Sequence, residues 1–284
     1  MRIIQGETYQ GERPLFGCAD AKIASCTFNE GESCLKETGN LEISQCLFRG
    51  KYPLWYGENE NVTECLFEEG ARAGIWYTSH SSFSALRYDA PKGFRHCQDI
   101  SLRDITFSSP LETLWWNEQV TMDHLLVQGG TYFGKEMEQG EGNALTLKDS
   151  DYCFDGAKKV RLSRCQITSK DAFWNSEDCT LVDCSISGEY FGWNSKNLTL
   201  IRCTISSLQG FCYIDGLTLI DCVFDGVDRC FEYCSRIDAR ILSSIVSVKN
   251  PISGRILAKG IGEIIRDDPS IPLENTEIIV DESL

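Results

Sequence analysis

Three acids and four tryptophans in this chain have the types and spacing that carbohydrate chemistry uses. Glu112, Asp171 and Glu189 each precede an aromatic residue by a few positions, in "LETLWWN", "KDAFWNS" and "GEYFGWNS". Paired carboxylates supply the acid and the base or nucleophile of glycoside hydrolysis. Trp115, Trp116, Trp174 and Trp193 offer flat apolar rings on which a sugar ring can stack, and Asn175 and Asn194 offer amides beside them. Lys36 and Arg72 add cations suited to a carboxylate-bearing sugar or a phosphate. The expected catalytic residues are therefore Glu112, Asp171 and Glu189. The expected substrate-binding residues are Trp115, Trp116, Trp174, Trp193, Asn175, Asn194, Lys36 and Arg72.

What positions these residues is a repeat. The pattern apolar-x-x-Cys-x-apolar fits "IASCTF", "ISQCLF" and "VTECLF", and later "LSRCQI", "LVDCSI", "LIRCTI" and "LIDCVF". Its column holds Cys26, Cys46, Cys65, Cys165, Cys184, Cys203 and Cys222, with Leu86, Ile105, Leu125, Leu145 and Ile241 filling the intervening and following rungs at intervals of 19–21 residues. A second column about nine residues on carries Leu35, Trp55, Trp76, Phe94, Trp115 and their successors down to Phe231. Segments such as "NLTLIRCTIS" alternate with period two and are rich in β-branched residues, which is strand patterning. A period near twenty with short strands and few prolines predicts an all-β chain, each repeat one coil of a single-stranded parallel β-helix stacked about 4.8 Å from the next. Twelve coils follow from the rungs. The expected organisation is one domain, 1–284, with caps at 1–22 and 262–284 around coils at 23–261.

The same repeat sets two readings of the aromatic column side by side. Trp55, Trp174 and Trp193 either fill the coil interior as a ladder or stand outward as a platform. Adjacent strand residues point to opposite faces, so one of Trp115 and Trp116 is expected to face out. If Asp151, Asp171 and Glu189 share a face at coil spacing, they repel one another. That repulsion is relieved by a raised pKa, a bound cation or splaying into solvent.

Composition bounds the partners. The net charge of −15 argues against nucleic acid and against an anionic membrane. There is no apolar stretch of membrane-spanning length and no signal-peptide core in "MRIIQGETYQ", so a cytoplasmic location is expected. Fifteen cysteines, an odd number with no CxxC pair, fit buried free thiols better than disulfides or zinc. No cofactor is expected, since no motif marks a calcium site. "KYPLWY", "ARAGIWYT", "ETLWWN", "KDAFWNS", "GEYFGWNS" and "VKNPISGRI" resemble an uncharacterised bacterial group, domain of unknown function 3737, and more broadly the pectin-lyase-like superfamily. The resemblance implies a right-handed β-helix and no established reaction. The polygalacturonase elements of that superfamily are missing: His80, His96 and His124 are not followed by glycine. The function expected is binding or processing of an oligosaccharide, uronic-acid-containing ones among the candidates, by a glycoside hydrolase or lyase if it is an enzyme. The alternative is a non-catalytic binding or scaffold module, its oligomeric state open.

Overall fold

The computed structural model describes all residues, 1–284. It is a parallel β-solenoid of about fifteen turns without an α-helix. Contacts divide it into two compact units, Met1–Ser150 and Asp151–Leu284.

In the first unit each turn opens with a strand of four to six residues, such as Ala19–Ala24, Gly39–Ser44 and Glu58–Thr63. These stack parallel and in register, Ile23 on Ile43 and Ile43 on Val62. A corner follows, then a short second strand (Leu47–Phe48, Leu66–Phe67) and a short third one (Leu54–Trp55, Ile75–Trp76). Inward residues form ladders. Tyr9, Phe28, Phe48, Phe67 and Tyr88 stack with ring centroids 4.6–5.3 Å apart. Each buried phenylalanine contributes about 1.5–3 kcal/mol. The second unit repeats the scheme, with Leu181 on Leu200 on Leu219 along its first face.

The cysteines occupy the place the repeat predicts for them, just after the first corner. All seven of the column are buried and free. Each thiol lies 3.2–3.7 Å from the carbonyl two residues back, for example Cys46 Sγ to Ser44 O and Cys184 Sγ to Val182 O. The next turn's sulfur also sits 3.3–3.4 Å from the amide of Cys26, Cys46 and Cys165. A small side chain with a weak donor thus fits behind a corner whose carbonyl already accepts an amide N–H from the preceding turn, as Ser44 O does from Ser25 and Val182 O does from Arg164. At Leu86, Ile105, Leu125 and Leu145 an aliphatic side chain fills the same position without the S–H contact.

The repeat runs further than the cysteine column marks. Arg2–Gln5 pairs with Ala19–Ala24, and Thr276–Val280 pairs with Gly254–Ile265, so residues read from sequence as caps carry ladder strands. They lack the cysteine signature, and much of their surface is exposed. This accounts for fifteen turns where the rungs count twelve.

The corners explain why the aromatic column lies only about nine residues after the first, without one fixed spacing. Successive turns place non-glycine residues at positive φ, among them Asn40 (53°), Gln45 (54°), Tyr52 (56°) and Tyr56 (58°) in one turn. A left-handed residue breaks the alternation of a strand, so Tyr56, Tyr77 and Trp116 face out like the residue before each of them. The column itself resolves into an inward and an outward set. Leu54, Ile75, Phe94, Leu114, Phe133, Phe173 and Phe211 point inward and are buried, while Trp55, Trp76, Trp115, Trp174 and Trp193 stand beside them, half-buried, on the outside. Interior filling by Trp55, Trp174 and Trp193 is not what occurs, because Leu54, Phe173 and Phe191 already fill the interior beside them.

Candidate functional site

Each unit carries an outward aromatic strip at its third corner, and the two strips differ in how their rings meet.

In the first unit Tyr56, Tyr77, His96 and Trp116 occupy one left-handed corner position in four successive turns. Their rings lie 4.9–5.1 Å apart and within 4–13° of parallel. The inner faces of the row are covered by neighbouring rings, so between them only edges reach solvent. The neighbouring column runs Trp55, Trp76, Arg95, Trp115. The first two rings stack at 4.8 Å and 7°. The Arg95 guanidinium then lies 4.5 Å from the Trp76 ring, 5.2 Å from Trp115 and 4.8 Å from Trp116. Its side chain is 13% exposed, NH1 donates to Glu112 Oε2 at 2.8 Å, and Nε is buried without a partner. Lys92 Nζ holds the other oxygen of Glu112 at 2.7 Å. Burial, with Arg95 beside it, holds the His96 imidazole below its ordinary value, so it is neutral at pH 7.

Glu112 is thus pinned between two cations, and both tryptophans of the "LWW" pair are engaged. Trp115 Nε1 donates to Tyr132 O at 2.7 Å and Trp116 Nε1 to Glu136 at 2.9 Å. The two rings are perpendicular, 88°. Lys36 lies 5.5 Å from the Tyr56 ring, and Arg72 is exposed. Two open depressions in this unit, about 340 and 470 Å³, are lined by other residues, Ser82 and Arg103 in one, Glu32 and Lys51 in the other.

The second unit brings Asp171 and Glu189 to adjacent turns. Asp171–Ala172 pairs with Tyr190–Phe191. The amides of Glu189 and Tyr190 both donate to Lys170 O at 3.0 Å, a bulge that re-aims these two side chains. Gly188 permits the approach: a Cβ there would fall 1.9 Å from Ser169 O. Asp171 is 2% exposed, and its Oδ1 has no hydrogen-bond partner. Burial raises its carboxyl to about 6; Lys170 opposes the rise, and Glu189 and Asp151 add to it. Two more buried polar atoms of the same turn are unpartnered, Ser169 Oγ and Trp174 Nε1. Glu189 is half-exposed, 3.9 Å from Lys170 Nζ.

Along this strip most neighbouring rings are tilted. Trp174 and Trp193 meet at 36°, Trp193 and Tyr213 at 41°, Tyr152 and Trp174 at 78°, and Tyr190 and Trp193 at 90°. Tyr213 in turn stacks on Tyr233 at 5.1 Å and 26°. Asn194 Nδ2 donates to Asn175 Oδ1 at 2.9 Å, and Asn175 Nδ2 to Asp155 Oδ1 at 3.0 Å, an exposed amide ladder along the strip. Ser176 and Ser195 are buried and bond each other and Phe173 O, closing the corner from inside.

Sequence reasoning passed over Ser169, Tyr152 and Tyr213, and the central place of Arg95. For Arg95 a signal existed: it takes the tryptophan position of the repeat, where a planar cation can replace a ring. No group of three His, Cys, Asp or Glu side chains converges closely enough to hold a metal ion. No helix is long and apolar enough to cross a membrane.

The fold and these strips define a parallel β-solenoid with aromatic ladders on its outer corners. A family model described as "Protein of unknown function (DUF3737)" matches residues 2–279, and the chain belongs to that family. No curated protein matches. Among solved structures, the chain is similar to a trypsin-treated variant of QnrB1, a plasmid-mediated fluoroquinolone resistance protein, at 14% identity, covering 64% of this chain and 81% of that one with a TM-score of 0.25. It is also similar to PfbA, a surface adhesin of Streptococcus pneumoniae, at 10% identity over 94% of this chain and 73% of that one, with a TM-score of 0.28.

Proposed function

We propose that the second unit binds an oligosaccharide along Trp174, Trp193 and Tyr213, with Asp171 and Glu189 as the charged groups at its centre. The observation that carries this is the Asp171 carboxyl: buried, with an oxygen lacking a partner, on turns that also carry Tyr190 and Trp174. A buried acceptor without a partner costs about 1–3 kcal/mol, which a ligand hydroxyl or ammonium would recover. Tilted aromatic rings suit sugar C–H groups, and the Asn175–Asn194 ladder suits hydroxyls. A carboxyl that holds its proton up to about pH 6 beside a second acid is also equipped for general acid work, so processing of the bound sugar belongs to the same proposal.

Titration calorimetry against a panel of neutral, acidic and basic oligosaccharides tests the reading, with reducing-end release measured in parallel. Binding that disappears in Asp171→Asn and Trp174→Ala supports it. A panel without any binding refutes it.

A second reading, a non-catalytic binding or scaffold module, draws on the first unit. There the ring faces are spent on one another and on Arg95, which stiffens the corner and leaves no platform. Trp115 and Trp116, with Lys36, Arg72 and Glu112, serve that unit as a structural strip. Sedimentation of the intact chain tests the reading, an oligomer supporting it and a monomer counting against it.

A further inference from the structure

We infer that the ligand of the second unit is a cationic amino sugar rather than a uronic acid; this rests on the oligosaccharide reading above and narrows it. The charged groups around the Asp171 carboxyl are Asp151, Glu189 and Lys170. Three carboxylates against one lysine leave the site negative, which repels a uronate and attracts an ammonium. The walls point the same way. Tyr190 is the register partner of Asp171 on the next turn and meets Trp193 nearly perpendicularly, and Trp174 follows on the same turn as Asp171. Aromatic faces with an acidic neighbour are the surroundings in which an organic cation is held. An inorganic divalent ion would need convergent ligands, and these acids do not converge on one point.

The unpartnered atoms refine the choice. Asp171 Oδ1 is an acceptor that an ammonium N–H would satisfy. Trp174 Nε1–H is a donor without an acceptor. A simple amine satisfies only the first kind of atom. A sugar bearing an amine and hydroxyl oxygens satisfies both.

The experiment is titration calorimetry of the intact chain with four probes: a glucosamine oligomer, its N-acetylated counterpart of the same length, a uronic-acid oligomer, and spermidine. The expected result is binding of the glucosamine oligomer about tenfold or more tighter than its acetylated counterpart. Asp171→Asn is expected to abolish that preference. Equal or tighter binding of the acetylated or the uronic oligomer overturns the inference while the oligosaccharide reading survives. Binding of spermidine without any glycan overturns both and leaves a bare cation site, and no binding at all overturns both as well. Circular dichroism checks that Asp171→Asn is folded; if it is not, Glu189→Gln is the second variant, expected to lower the same preference in part, and an unchanged preference there counts against the inference.

Discussion

Replacing Glu60 with glutamine should abolish a pH dependence that one buried acid imposes on the first unit. Glu60 lies in the strand Glu58–Thr63 at an inward position, stacked on Leu41, and is 2% exposed. Thr38 Oγ1 donates to Oε1 at 2.5 Å, Oε2 has no partner, and Gly57 leaves the space, since a Cβ there would fall 2.5 Å from the carboxyl. Burial raises the acid from 4.5 to about 7, opposed by the Thr38 hydrogen bond. Because the folded value lies above the unfolded one, the folded state keeps a proton that the unfolded chain has released. Stability is therefore unaffected below about pH 4.5, falls as pH rises, and reaches its full loss above about pH 7. The whole change amounts to about 3 kcal/mol, about 2.5 of it between about pH 5 and pH 8. Glutamine keeps an acceptor for Thr38 and does not titrate. Urea unfolding of both proteins at about pH 5 and pH 8, at constant ionic strength, should show the variant gaining about 2.5 kcal/mol relative to the native chain on going to the higher pH. Equal pH slopes in the two proteins would refute the reasoning, since every other titrating group is common to both.

Further outcomes follow from the same geometry. Arg95→Met removes the cation between Trp76 and Trp115 and leaves Glu112 with Lys92 alone; it should cost about 2 kcal/mol and shift tryptophan fluorescence, and Arg95→Lys should recover only part because a lysine cannot stack as a plane. Ala85 sits at φ 53°, so Ala85→Gly should stabilise by about 0.5 kcal/mol, the relief of left-handed strain less the entropy given to the unfolded chain; a lower unfolding midpoint would contradict this. Of the fifteen cysteines only Cys18 is not buried, so a thiol reagent should label one residue in the native chain and the rest only on unfolding. Cys46→Leu should destabilise by about 1–3 kcal/mol through overpacking behind the corner, whereas Cys46→Ala should cost less, as paired unfolding curves would show.

The solenoid could be read from the sequence because its evidence is local and repeated. One cysteine behind one corner says little, but seven at intervals of 19–21 residues specify a coil length, and alternation within each rung says which side faces in. That inference needed no knowledge of neighbouring turns beyond their identity in pattern. The orientation of the tryptophans was a different matter. Left-handed corners are usually announced by glycine or asparagine. Here Tyr56, Tyr77, Leu114 and Trp116 take them, held by stacking on the turns above and below, so the point where alternation breaks is not written in residue type. The same holds for the acids. Asp171, Glu112 and Glu60 look alike as letters. Whether a carboxyl meets two cations, as Glu112 does, or an apolar interior, as Glu60 does, or keeps an oxygen unpartnered, as Asp171 does, depends on residues 17 to 22 positions away brought within about 5 Å by stacking. Sequence by itself determined the coil and its inward ladders, because period and hydrophobicity act through each turn separately. Only the tertiary structure decided which rings stack flat and which acid keeps its proton, because electrostatics and ring stacking act between turns.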